Sequence, residues 1–187
     1  MKLLENERII LRALEPEDLD VLYRWENDAS LWQHGNTLTP FSRYVLKEYI
    51  ASAHQDIYTT GQLRLMIQPR QTGEAVGTID LFDVDPHHRR CGIGVLVDPA
   101  YRRKGYAGEA LSLVLSYAFS FLKLKQVYAH VPVNNEASVK LFSLAGFKIA
   151  GRLVQWISTP DGFADVYLMQ YVFAETNERR ITYPPVR

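Results

Sequence analysis

The sequence predicts a mixed α/β domain built on one sheet, and three observations carry that prediction. Ala107, Ala110, Leu111, Val114, Leu115, Ala118, Phe119 and Leu122 recur at i, i+3, i+4 and i+7, the period of one long helix. β-prone runs on either side of it are separated by clusters of Pro, Gly, Asp and Asn, the punctuation of strands. The helix lies between two such runs, residues 91–97 and 125–133. If those strands are neighbours, they must pair in parallel through a right-handed crossover.

The elements follow in order. Residues 7–14 are apolar and β-prone and read as a first strand. Glu15-Pro16-Glu17-Asp18 opens a helix, with proline at its first position and acids in its first turn, and Leu19, Leu22 and Trp25 continue it at helical spacing. Thr39-Pro40 opens a second helix, expected to present Phe41, Tyr44, Val45 and Tyr49 on one face. Residues 62–68 and 75–84 read as strands joined by the loop Pro69-Arg70-Gln71-Thr72-Gly73-Glu74. Pro86-His87-His88-Arg89-Arg90 is a turn, and the strand after it carries Gly92 and Gly94, which signals a bulge or a close backbone approach. Residues 135–145 read as a helix that ends at Gly146. Residues 147–158 and 163–173 form a hairpin across Thr159-Pro160-Asp161-Gly162. The resulting order is β-α-α-β-β-β-α-β-α-β-β. Residues 1–173 are expected to form a single domain, and residues 174–187 a polar surface tail.

Composition limits the function classes. The 187 residues are 47% hydrophobic, enough for a sizeable core, and the 21 basic and 21 acidic residues cancel. That balance argues against nucleic acid and anionic membrane as partners. Arg89, Arg90, Arg102, Arg103 and Lys104 are the only cluster a nucleic-acid reading could use, and they form no longer stripe. The lone Cys91 excludes an internal disulfide and a cysteine-rich metal module, so no metal is expected and the context is taken as reducing. The longest nearly apolar run, residues 110–122, holds three serines and is too short to span a bilayer. Acids stand where a signal peptide would need apolar residues, and a cytoplasmic location is expected.

The chemistry concentrates at residues 95–107, Val95-Leu96-Val97-Asp98-Pro99-Ala100-Tyr101-Arg102-Arg103-Lys104-Gly105-Tyr106-Ala107. A strand ends, a basic turn follows, and the long helix starts around a glycine. Unpaired N–H groups at a helix start attract anions, and Gly105 removes a side chain where a phosphate would approach. This pattern points to a phosphate-bearing ligand. The plain alternative is a basic loop that only caps a core helix. G-x-G-x-x-G and G-x-x-x-x-G-K-[ST] are both absent, so a dinucleotide fold or a P-loop fits worse.

On these residues the chain resembles the GCN5-related N-acetyltransferases. Arg102-Arg103-Lys104-Gly105-Tyr106-Ala107 matches the family's [QR]-x-x-G-x-[GA] acetyl-coenzyme A loop. Downstream, Asn135 and Ser138, then Phe142 and Gly146-Phe147, look like the N-x-x-[SA]…G-F signature. That signature marks the branch containing ribosomal-protein N-terminal and spermidine/diamine acetyltransferases, and the opening strand followed by Pro-Glu-Asp is similar to that branch's start. The resemblance spans roughly residues 7–173 and implies a mostly antiparallel sheet of about seven strands with helices on both faces.

The resemblance also implies roles. The strand holding Val95, Leu96 and Val97 would part from residues 125–133, and the pantetheine arm would pair with the exposed strand edge. Backbone N–H groups from Arg103 through Lys104, Gly105, Tyr106 and Ala107 to Gly108 would hold the pyrophosphate, with Arg102 beside them. An N–H near Val95 or Leu96 would polarise the thioester carbonyl. Asn135 would bond the pantetheine or simply cap its helix, and Ser138 and Phe142 would line the thiol end. Acetyl transfer by direct attack needs a neutral amine, hence a base. Two departures from the family pattern matter here. Gly92 stands where relatives often carry Glu, and Phe142 where many carry Tyr. The base is left unassigned among Glu26, His34, Asp80, Asp83, His87, His88 and His130.

The resemblance places the acceptor groove on residues 16–50 and 153–167, rich in Trp25, Trp32, Tyr44, Tyr49, Trp156, Phe163 and Tyr167. The loop Gln33-His34-Gly35-Asn36-Thr37-Leu38-Thr39 has no acid, unlike the acidic loop of polyamine acetyltransferases. The expected partners are therefore acetyl-coenzyme A and a primary amine, with polyamine, small amine and protein N-terminus all open. The aromatics suggest a homodimer. A non-catalytic acetyl-coenzyme A-binding module is the competing reading, since the usual Glu and Tyr are missing.

Overall fold

The computed structural model describes residues 3–29 and 39–174. Seven strands form one sheet in the order β1-β2-β3-β4-β5-β7-β6. They are β1 (Ile9–Arg12), β2 (Leu63–Pro69), β3 (Gly77–Asp85), β4 (Arg90–Val97), β5 (Gln126–Pro132), β6 (Lys148–Thr159) and β7 (Gly162–Val172). Among the described residues only β4 and β5 pair in parallel, as the β-α-β reading requires, and every other ladder is antiparallel.

The helices are α1 (Leu19–Glu26), α2 (Arg43–Ser52), the single turn α3 (Ile57–Thr60), α4 (Tyr106–Ser120) and α5 (Glu136–Leu144). Strand alternation divides the core between two faces. Ile67, Ile79, Leu81, Ile93, Val127 and Ala129 pack with Ala110, Leu111, Val114 and Ala118 of α4 and with Phe142 of α5. Leu22, Trp25 and Ile50 of α1 and α2 pack on the opposite face with Leu14 and Met66. Helices thus cover both faces of one mixed, mostly antiparallel sheet.

One expectation is corrected and one is resolved between its two alternatives. In α2 the buried residues are Leu46 and Ile50, whereas Tyr44 is 68% and Val45 47% exposed. Ser42, not Thr39, caps this helix through the Val45 N–H, so the start lies three residues later and a different face turns inward. Of the two readings of the β4 glycines, the close approach holds at Gly92, against the ring of Phe82, and the bulge falls in β3 between Phe82 and Asp85. The readings that rest on Trp32, on the loop from Gln33 to Leu38 and on the tail from Glu175 lie outside the described residues.

Candidate functional site

β4 pairs with β3 from Asp85↔Arg90 to Gly77↔Val97. Its ladder with β5 stops much earlier, after Arg90↔Gln126, Cys91↔Val127 and Gly92↔Tyr128. β4 nevertheless continues to Val97, and β5 to Pro132, where β7 still holds it through Pro132↔Val166. Past Gly92 and Tyr128 the two strands therefore part, and each turns a backbone edge toward the gap. The opening lies at the carboxyl ends of parallel strands, a place where open α/β sheets bind ligands.

The basic loop closes one end of this opening. Asp98 ends β4, its Oδ1 accepting the Ala100 N–H at 3.0 Å, while Oδ2 accepts Trp25 Nε1 at 2.8 Å and Arg24 at 3.3 Å. Burial works against the Asp98 charge, but the Trp25 and Ala100 hydrogen bonds and the Arg24 cation prevail and hold the carboxyl below its usual range. Asp98 thereby ties α1 to the root of the loop. Arg103 (φ 61°) and Gly105 (φ 87°) adopt left-handed backbone, which turns the chain sharply into α4. The first N–H groups of α4, those of Tyr106, Ala107 and Gly108, have no partner further back in the helix.

The cations of the loop differ in placement. Arg102 Nε donates to the Val97 carbonyl at 3.1 Å, and Lys104 Nζ sits 5.0 Å from the Tyr101 ring centroid. Arg103 is exposed. Sequence reading missed the brace beside them. Arg8 on the approach to β1 pairs with Glu109 in the first turn of α4 and donates to the Lys104 carbonyl at 3.2 Å. Asn6 Nδ2 donates to the other Glu109 oxygen at 3.0 Å. A separation of about a hundred residues leaves no local pattern by which the sequence could announce this contact.

Asn135 caps α5, its Oδ1 accepting the Ser138 N–H at 3.1 Å. Ser138 follows in the first turn of that helix. Phe142 is only 4% exposed and packs edge-to-face on Phe147 at 5.1 Å, so the structure places it in the core. Cys91 is buried too, and burial pushes its thiol up to about 12, which suits a packing residue rather than a nucleophile.

The candidate bases among the described residues are spread over α1, β3, β5 and the turn before β4. Arg64 forks onto Asp80 at 2.8 and 3.0 Å and reaches Glu26 at 2.6 Å. Burial opposes the Arg64 charge, yet the carboxylates, Asp80 foremost, raise its affinity for the proton above the ordinary arginine value. Asp83 accepts the Tyr128 hydroxyl at 3.4 Å. Burial first, and then Asp83, holds the Tyr128 phenol above its ordinary value. His87 and His88 pack on each other at 4.7 Å in the turn before β4. His130 is exposed on β5, its ring 5.5 Å from Tyr128. Among the described residues no three His, Cys, Asp or Glu side chains are grouped to hold a metal ion, and no helix is long and apolar enough to cross a membrane.

Comparison with known proteins bears on the family and the fold. The model of the acetyltransferase (GNAT) domain matches residues 8–148. An uncharacterized N-acetyltransferase, p20, from Bacillus licheniformis is 30% identical over 94% of this chain and 98% of its own length. The crystal structure of spermidine N-acetyltransferase from Vibrio cholerae in complex with CoA and spermine is similar at a TM-score of 0.79 and 26% identity. It covers 89% of this chain and 96% of that one. A dodecameric structure of the Vibrio enzyme in an intermediate state gives 0.75 and 28%, covering 89% and 95%.

Proposed function

The chain belongs to the GNAT acetyltransferase family, and from that premise we propose how it transfers acetyl to an amine. Acetyl-coenzyme A lies in the opening between β4 and β5, its pantetheine pairing with the strand edge at Val95, Leu96 and Val97. The pyrophosphate rests on the N–H groups from Arg103 to Gly108, with the local positive charge of Arg102, Arg103 and Lys104 around it. Asn135 serves as both cap and pantetheine partner, since only its Oδ1 is committed to the Ser138 N–H. Ser138 lies toward the thiol end, and Phe142 supports that end from the core rather than as an exposed wall. The observation that carries the reading is the early end of the β4–β5 ladder directly beside the free helix start of α4.

The amine approaches across the face of Gly92 and Gly94 and attacks the thioester directly in a ternary complex. Asp80, opposite Gly94 in the β3–β4 ladder, and Glu26 of α1 are both engaged by Arg64. This favours an acceptor with one cationic centre, a small amine or a peptide N-terminus, over the polyamine named for the Vibrio relative. Release of free thiol from acetyl-coenzyme A across a panel of amines tests the reading. Turnover of a monoamine or peptide supports it, and robust turnover of spermidine alone would overturn the acceptor assignment.

Val154, Trp156 and Phe163 on the β6–β7 hairpin are exposed and supply an apolar surface for a homodimer. An oligomer that dissociates in the Trp156→Glu variant would bear this out. The single, buried thiol fits a cytoplasmic location.

A further inference from the structure

We propose that His130 accepts the proton of the amine, on the acetyl-transfer reading above. Three observations converge on it. First, from Gly92 onward the β4 wall of the acceptor face offers no titratable side chain, and Arg90, on the same face at the paired end, is held by Asp85. Gly92 and Gly94 stand there, and the ring of Phe82 occupies the space beside Gly92, where an added Cβ would come within 2.2 Å of it. Second, His130 follows two residues after Tyr128, the last β5 residue paired with β4. Val127, Ala129 and Val131 point into the α4 core, so His130 shares with Tyr128 the opposite face, that of Gly92. It is the first β5 side chain on this face inside the opening, and it is exposed.

Third, the other described candidates are committed or displaced. Asp80 and Glu26 hold Arg64, and Asp83 receives the Tyr128 hydroxyl. His87 and His88 pack edge-to-face in the turn at the paired end of β4, opposite the opening. His54 contacts the Ala51 carbonyl at the end of α2. The groups around His130 are few. Tyr128 lies on its own strand with Asp83 behind it, and β4 contributes Gly92 and Gly94, with Arg90, paired to Asp85, on the same face at the strand's paired end. Leu168 of β7 and Gly151 of β6 stand level with His130, and Gln170 and Lys148 level with Tyr128.

The proton balance is simple. The alkylammonium gives one proton to the imidazole, directly or through one water, and the imidazolium later returns it to solvent. The freed nitrogen lone pair attacks the thioester carbonyl carbon and forms the C–N bond. As the C–S bond breaks, the nitrogen sheds a second proton, which ends on the departing thiolate as coenzyme A thiol. The thiolate needs no donor from the Phe142 position.

The test compares His130→Gln and His130→Ala with the wild type across pH, using acetyl-coenzyme A and whichever amine the wild type turns over. Thermal shift with acetyl-coenzyme A runs alongside it. The shift should be unchanged, while kcat/KM for the amine at neutral pH falls by ~100-fold. The loss should shrink as pH rises and more amine is already neutral, and added imidazole should partly restore His130→Ala. A loss under about threefold, with the wild-type pH profile retained, would overturn the assignment even while wild-type turnover upheld acetyl transfer. A wild type that binds acetyl-coenzyme A but acetylates no amine would overturn both.

Discussion

A Cβ built on Gly92 would lie 2.2 Å from Cε2 of Phe82, its cross-strand partner in the β3–β4 ladder. The aromatic ring thus occupies the volume into which a side chain at position 92 would project. A glutamate at this position, which the family resemblance leads one to expect, would collide with that ring. The face is shaped by Phe82, and the ring continues edge-on to Tyr128 at 6.3 Å and thence to His130.

Gly92→Ala should therefore destabilise the fold by about 1–3 kcal/mol, the usual cost of overpacking. Phe82→Ala in the same chain should recover much of that loss, a coupling that chemical denaturation of the four-member cycle would measure. Equal costs of Gly92→Ala with and without Phe82 would show that the ring is not the obstacle.

The brace on the phosphate loop predicts a charge effect. Glu109 lies in the first turn of α4, where its charge suits the helix dipole but opposes a bound pyrophosphate. Arg8 and Asn6 hold and offset it. Arg8→Ala should raise KM for acetyl-coenzyme A several-fold, on the order of 1 kcal/mol, with kcat little changed. Glu109→Gln should relieve that defect in the double variant. A defect that persists would assign Arg8 a direct role on the cofactor instead.

Asp98 gives acid sensitivity of a definite sign. Its folded-state pKa is lowered, so its contribution to stability is complete above the unfolded carboxyl value of about 4 and fades as pH falls through the folded value. Trp25→Phe removes the Nε1 donor and should cost about 1–3 kcal/mol at neutral pH. Urea titrations at successively lower pH should show that cost shrinking. A cost that stays constant into strong acid would mean the loss is one of packing alone.

Much of the fold was legible because its signals are local. The period of α4, the turn at Thr159-Pro160-Asp161-Gly162 and the cap at Asn135 each announce an element within a few residues. The cofactor loop was legible for the same reason. Other features depend on contacts between distant segments. The inward face of α2 could not be read from Phe41, Tyr44, Val45 and Tyr49, because Leu46 and Ile50 complete a competing face at helical spacing. The side of the sheet to which His130 points required the register of β5 between β4 and β7. The brace from Arg8 to Glu109, and the ring of Phe82 over Gly92, join residues that no motif connects.

The central claim is that the parted strands β4 and β5 hold acetyl-coenzyme A, and thermal unfolding with that ligand tests it most directly. Adenosine 3′,5′-bisphosphate serves as the control that lacks the pantetheine arm. At about 100 times its dissociation constant, the cofactor should add about 2.7 kcal/mol, a rise in Tm of roughly 5–10 °C. The bisphosphate at the same concentration should give much less. Equal shifts from both would place the binding at the loop alone, and no shift at millimolar acetyl-coenzyme A would contradict the account.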